Sequence, residues 1–297
     1  MIRVAVPATS ANVGAGFDAV GLAVGLYNTV EFSEAETLSI TAADGTEVPH
    51  GEDNLVYVSA RYLFDKAGAP VPGMRIVQTN PIPMARGLGS SSACIIAGLL
   101  GANRMLGEPF GRAELLEFAT EIEGHPDNVA PALLGGLVCS AREGGKVYAV
   151  RHDLDESLAF AAVIPDYQLL TSAARAALPA SVAHADAVYN LSRAALLSEA
   201  FCGGRHELLP IVTQDRLHQQ YRMRLMPGAQ EVFAAARQLG ALAVYVSGAG
   251  STMMAVTEQA EAYTFCKRLK AWLAASDTCR TFSLRRLAAD NRGAAVE

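Results

Sequence analysis

The chain lacks several things that would each name a class of protein. No stretch of its 297 residues reaches the ~20 unbroken apolar positions of a membrane span. The start, MIRVAVPATSANVG, carries one positive charge and a strand-like alternation, so it is not expected to be a secretory leader. The five cysteines (Cys94, Cys139, Cys202, Cys266 and Cys279) form no CxxC pair, which fits free thiols in a reduced cytoplasm. A formal net charge of −6 argues against a general nucleic-acid binder, although local basic groups can still take an anionic ligand. The phosphate-loop patterns G-x-x-x-x-G-K-[ST] and G-x-G-x-x-G are both absent.

The patterning present predicts two α+β units. β-rich runs at 2–6, 28–32, 38–41 and 74–79 alternate with helices at 54–68, from the Gly/Ser run to about 106, and at 112–124. The second half reads as a strand at 158–165, helices within 179–215, a helix near 228–239, strands at 242–248 and 251–257, a helix at 259–275 and a strand near 281–286. Setting the extra helices aside, that is the β-α-β-β-α-β order of a ferredoxin-like sheet. The charged interruption RHDLDES places the boundary near 150–156. Expected units are therefore 1–155 and 156–297, with a ligand cleft between them.

Five stretches carry the chemistry. PIPMARGLGSSSAC, from Pro81, runs a glycine-rich turn into a helix without any lysine. Its backbone N–H groups and the helix N-terminus suit phosphate, and Ser90 is placed to cap the helix. A Gly/Ser turn before a core helix accounts for the same composition. EIEGHPDNVAPALLGG packs Glu123, His125, Asp127 and Asn128 together before an apolar run. The 112–124 periodicity turns Glu123 inward and Glu121 to solvent; an inward carboxylate at a helix end calls for a partner, either a Mg²⁺ or a salt bridge. PATSANVGAGFD offers Asn12 and Asp18 to a small polar ligand, or forms a polar turn. TSAAR and HQQYR supply Arg175 and Arg222, suited to a carboxylate or to the surface. VSGAGST is a hairpin turn or a small-residue loop closing over phosphates.

Together these motifs identify the chain as resembling the GHMP kinases over essentially its full length. PATSANVGAGFD, PIPMARGLGSSSAC and SGAGST stand in the superfamily's order, and HPDNVAPALLGG with HQQYRMRLMPG resembles the homoserine kinases in particular. PATSAN stands where sugar and mevalonate kinases of the superfamily carry P-G-[KR]. The resemblance implies a first domain like domain 2 of ribosomal protein S5, a ferredoxin-like second domain, ATP with Mg²⁺, L-homoserine as acceptor, a homodimer, and no nucleic-acid or membrane partner.

It also implies roles for residues. Asn54 contacts adenine. Pro83, Arg86, Gly87, Leu88, Gly89, Ser90, Ser91, Ser92 and Ala93, with Gly248 and Gly250, surround the phosphates. Ser91 and Glu123 hold the metal. Asn12, Asp18, His125, Asn128, Thr171, Arg175 and Arg222 form the substrate pocket, with the arginines on the carboxylate, Asp18 and Asn12 on the ammonium and Asn128 on the hydroxyl. Glu123, Asp127 and Asn128 are the catalytic candidates, and whether Asp127 or Asn128 faces the hydroxyl stays open. Ser251 and Gln220 stand where the family usually has proline. Arg86 is either a phosphate contact or a solvated loop residue. The alternatives to homoserine phosphorylation are another small hydroxylated substrate or a regulator that binds nucleotide without turnover.

Overall fold

The computed structural model describes residues 1–297 and is built on two β-sheets. The first holds β1 (Ile2–Ala11), β2 (Val20–Glu34), β3 (Ser39–Ala42), β4 (Met74–Thr79), β5 (Leu137–Glu143) and β6 (Lys146–His152). The second holds β7 (Leu158–Ile164), β8 (Ala243–Val246), β9 (Met253–Glu258) and β10 (Ser283–Ala288). A short last strand, β11 (Ala295–Val296), returns to the first sheet beside β1. The helices α1 (Leu55–Lys66), α2 (Ser90–Met105), α3 (Arg112–Glu123) and α4 (Pro126–Leu134) lie between strands of the first sheet. α5 (Thr171–Ala176), α6 (His184–Ala194), α7 (Leu197–Cys202), α8 (Leu209–Val212), α9 (Gln219–Arg222) and α10 (Ala229–Gln238) fill the crossover from β7 to β8, and α11 (Ala262–Ala275) precedes β10.

The first sheet runs β11-β1-β2-β4-β3, with β5 on the other part of β2 and β6 outside β5. β2 serves two partners on the edge away from β1 because it is long: residues 20–22 pair with β5 and residues 29–34 with β4. A register shift between Pro7 and Ala8 bends the β1–β2 ladder. The second sheet is antiparallel in the order β10-β7-β9-β8, as the ferredoxin-like pattern requires.

β7 explains how the two halves hold together. All seven of its residues are buried, so its sequence, LAFAAVI, is continuously apolar rather than alternating. Phe160, Ala162 and Ile164 face a core shared with the first sheet, while Ala161 and Val163 face a smaller core under α10 and α11. The shared core also takes Leu197, Ala200 and Phe201 from α7, and Leu209 and Val212 from α8. These residues and β11 fall within 156–297 by number yet pack with the first sheet, so the chain crosses back twice.

Three local expectations need correction. β1 and β2 extend through 8–11 and 20–27, because Thr9 and Ser10 are buried strand residues rather than turn residues. The hairpin β5–β6 and helix α4 were not anticipated. α2 starts at Ser90 with Gly89 as its N-cap, so Ser90 is the first helical residue and no side chain caps the helix.

Candidate active site

The N-terminus of α2 is built by close approach. Gly87 (φ +75°) and Gly89 (φ +70°) are left-handed, and a Cβ on Gly89 would sit 1.9 Å from the Thr9 hydroxyl. A Cβ on Gly87 would lie 2.2 Å from the Ser247 carbonyl oxygen. The three motifs are sewn together there. Thr9 N–H donates to Leu88 (3.1 Å), Gly248 N–H to Ala11 (3.0 Å) and Thr252 N–H to Arg86 (3.0 Å). The Ser247 hydroxyl donates to the Gly87 carbonyl (2.6 Å) and lies 2.7 Å from Ser10 Oγ. With no side-chain cap, the first-turn N–H groups of a sixteen-residue helix remain free for an anion.

Glu123, at the end of α3, reaches this same helix start. Its carboxylate accepts from the hydroxyls of Ser91 (3.0 Å) and Ser92 (3.1 Å) and has no lysine or arginine partner. Glu121 instead points outward to Tyr62 and Lys66. Gly124 (φ +95°) then turns the chain, and His125 N-caps α4. A Cβ on Gly21 of β2 would sit 1.8 Å from the Asp127 carbonyl, so glycine there lets α4 lie against the sheet. His125 Nδ1 is hydrogen-bonded to the buried Asp127 carboxylate, and that bond lifts the imidazole above its ordinary pKa against the cost of burial. Asn128 Oδ1 accepts from the Thr9 hydroxyl (2.8 Å).

Across the cleft stand two arginines of different kind. Arg175 makes a two-pronged ion pair with Asp18 (2.9 and 3.2 Å), which raises its pKa. Arg222 is 2% exposed and has no carboxylate partner. Burial pushes its pKa down, and its Nη1 donates to the Gly248 carbonyl (2.9 Å). Asn12 spends both ends of its amide inside the protein: Nδ2 donates to the Gly248 carbonyl and Oδ1 accepts from Asp18 N–H. It thereby holds Asp18 at φ +53°.

Asn12, Asp18, Glu123, His125, Asp127, Asn128, Arg175 and Arg222 line one cleft of about 280 Å³ with the start of α2, while Thr9 stands behind it. A neighbouring pocket of about 260 Å³ shares Ala85, Ser90 and Ser91 with it and is more apolar, with Val48, Pro49, Leu55 and Met84 in its wall. Its polar wall is a chain of amides. Asn54 Oδ1 caps α1 by accepting from Val56 N–H (3.0 Å) and also accepts from Gln78 Nε2 (2.9 Å), while Asn80 Nδ2 donates to Gln78 Oε1 (3.3 Å).

Comparison with known proteins gives the family. Residues 54–136 match the GHMP kinases N terminal domain and residues 195–275 the GHMP kinases C terminal domain. A homoserine kinase of Clostridium beijerinckii is 45% identical over 297 residues, covering 100% of this chain and 98% of the relative. One from Moorella thermoacetica is 46% identical over 86% of this chain and 87% of its own length. The chain belongs to the homoserine kinase family of GHMP kinases. The crystal structure of homoserine kinase from Cytophaga hutchinsonii superimposes with a TM-score of 0.88 at 29% identity, covering 100% of this chain and 97% of that one. A mevalonate kinase from L. major shares the fold alone, with a TM-score of 0.75 at 14% identity over 97% and 96% of the two chains.

Most of the residues singled out by the family resemblance meet in the main cleft, Pro83, Leu88, Thr171, Gly248 and Gly250 among them. Ala93 does not, because it faces the core on the buried side of α2. Asn54 lies in the neighbouring pocket, its carbonyl spent on the α1 cap. Arg86 lines the cleft half-buried: its Nε and Nη2 donate to the carbonyls of Pro165 (3.0 Å) and Asp166 (2.8 Å), tying the loop to the end of β7. Sequence reasoning passed over Thr9, which orients Asn128, and His218, which touches Arg222. Both lie inside the motifs that signalled the family.

Proposed function

We propose that the chain transfers the γ-phosphoryl group of ATP to the hydroxyl of L-homoserine, giving ADP and O-phospho-L-homoserine. One observation carries this reading: a single cleft joins an uncapped helix N-terminus to a buried arginine that has no carboxylate of its own. The first end suits a phosphate chain, and the second suits the carboxylate of a small zwitterion. The apolar neighbouring pocket suits the base of the nucleotide, and Ser90 and Ser91 lie where the two pockets meet.

The donor set fits Mg²⁺. The hydroxyl of Ser91 and the carboxylate of Glu123 are hard oxygen ligands already side by side, and no cluster of three or more acidic, histidine or cysteine side chains offers an all-protein cage. A hard cation held by one carboxylate, a hydroxyl and nucleotide phosphates is the usual magnesium arrangement. Bound there, Mg²⁺ would neutralise phosphate charge.

The remaining work belongs to the chain. The α2 N-terminus orients the phosphates. Arg222 takes the substrate carboxylate, and Asp18, positioned by Asn12 and shared with Arg175, takes the ammonium. Asn128, its oxygen held by Thr9, presents its amide to the hydroxyl. The Asp127 carboxylate is bonded through Oδ1 to His125, and we read it as a positioning group rather than a strong base at the hydroxyl. Phosphoryl transfer tolerates this because alignment and charge neutralisation supply most of the acceleration. No helix is long and apolar enough to cross a membrane. Five free thiols accord with a reducing cytoplasm as the place of action.

The test is ADP release from Mg-ATP by the purified protein. L-homoserine should stimulate it far more than mevalonate, galactose or L-serine. Release indifferent to homoserine rejects the substrate, and no release with any acceptor favours a nucleotide-binding regulator.

A further inference from the structure

His218 has a place in the site that the family resemblance does not assign. It is fully buried, and its ring stacks on Phe17 with centroids 5.0 Å apart and an interplanar angle of 22°. The Arg222 guanidinium lies over the same Phe17 ring at 5.2 Å. His218 Nε2 is 2.8 Å from the Gly14 carbonyl oxygen, which can only accept, so Nε2 carries the hydrogen. That fixes the tautomer and leaves Nδ1 bare, 3.3 Å from Arg222 Nη1, as an acceptor for the guanidinium. Asp215 Oδ2 lies 3.8 Å from His218 Nε2, beyond hydrogen-bond distance, and accepts instead the backbone N–H groups of His218 (2.8 Å) and Gln219 (2.6 Å) at the start of α9. Arg222 Nε has no partner at all.

The two hydrogen-bond acceptors of Arg222 are therefore a neutral ring nitrogen and a backbone carbonyl. Most buried guanidinium groups are held by a carboxylate, which orients the group and cancels its charge together. We propose that His218 is a positioning residue for the acidic end of the substrate: it orients Arg222 through a neutral acceptor, leaving the guanidinium without a contacting carboxylate until that of the substrate arrives. The inference rests on the reading that Arg222 binds that carboxylate.

The experiment compares L-homoserine with 3-aminopropan-1-ol, the same molecule without its carboxylate. The wild-type protein should bind homoserine much more tightly, read as KM for homoserine and as the competitive inhibition constant of the amino alcohol. His218→Asn returns an amide oxygen near the Nδ1 position, whereas His218→Gln reaches the Nε2 position and leaves Arg222 without its acceptor. His218→Asn should keep most of the preference for homoserine. His218→Gln should lose about tenfold of it or more, through homoserine KM alone, with the KM for ATP and the inhibition constant of the amino alcohol within twofold of wild type. Asn and Gln variants that behave alike, or a loss shared equally by both ligands, overturn the proposal. Arg222→Ala separates the two layers. If it leaves the preference intact, Arg222 is not the carboxylate site. If it abolishes the preference while His218→Gln retains it, the role of His218 alone fails.

Discussion

Asp127 and Asn128 are adjacent, but their side chains are held differently. Asp127 is buried and bonded to His125, while Asn128 is partly exposed and bonded through its oxygen to Thr9. An aspartate acting as an indispensable base would be worth ~10²–10⁴-fold in rate. Asp127→Asn should instead cost less than about tenfold in kcat, because alignment survives; a loss beyond ~10³-fold in a folded variant makes Asp127 the base. The two perturbed histidines of the site act oppositely on stability. His125 is raised in the fold, so its stabilisation is fully present below its ordinary pKa and fades as pH rises through the raised value. His218 is pushed down to about 4 by burial, with Asp215 and Asp18 opposing the shift and Arg222 adding to it. Below about pH 6.5 the unfolded chain takes up a proton on His218 that the folded chain refuses until about pH 4, so stability falls with acidity at up to ~1.4 kcal/mol per pH unit. Chemical denaturation across pH 4–8 should accordingly show Asp127→Asn losing most, relative to wild type, below about pH 6.5 and least near pH 8. It should also show His218→Asn with a shallower acid slope than wild type.

At the scale of elements, the α2 N-terminus and the end of α3 work as one unit. Gly89→Ala forces a side chain into a left-handed position and onto the Thr9 hydroxyl, so the loop must move. Its kcat/KM for ATP should fall at least ~10²-fold, with most of the fold retained by circular dichroism. Wild-type kinetics in this variant would show that the loop does not set the phosphates. Glu123→Gln should depress turnover and raise the Mg²⁺ concentration needed for half-maximal rate; an unchanged magnesium dependence returns Glu123 to a purely structural partner of Ser91 and Ser92. Much of this unit was legible in the chain: the glycines, the serines and the inward face of α3 follow from spacing. The strand ends were not. PATSAN reads as a turn because it is polar, yet Thr9 and Ser10 lie in β1 with their hydroxyls satisfied by Asn128, Tyr245 and Ser247, residues more than a hundred positions away. The β5–β6 hairpin did leave a signal, two β-rich runs around Gly144-Gly145. Likewise the type of Asn12 and the family position of Asn54 pointed to ligands, while their spent amides appear only once the loops are folded together.

On the scale of the whole molecule, the chain does not finish in the unit its last strands suggest. After β10 completes the second sheet, residues 289–297 cross back. Asp290 N–H bonds to the Ala23 carbonyl, Ala294 N–H bonds to Leu133, and β11 pairs with β1 through reciprocal bonds between Arg3 and Glu297 (3.0 and 2.8 Å). Arg112 on α3 adds a bond to the Ala294 carbonyl (3.2 Å). With β7 buried on both faces between the two cores, this return ties the sheets into one structure. Removing residues 294–297 deletes the edge pairing of β1 at Val4 and Ala5 and the bonds to the Ala294 backbone, and no residue removed lines the cleft. The loss should be about 1–3 kcal/mol, a Tm lower by roughly 2–10 °C, with kcat and both KM values at 25 °C within twofold of the full chain. Calorimetry separates the alternatives. A single transition shifted downward means that the tail clamps one cooperative unit. A first transition at the full-length temperature beside a second, lower one means that the two sheets unfold independently and the shared core around β7 does not couple them.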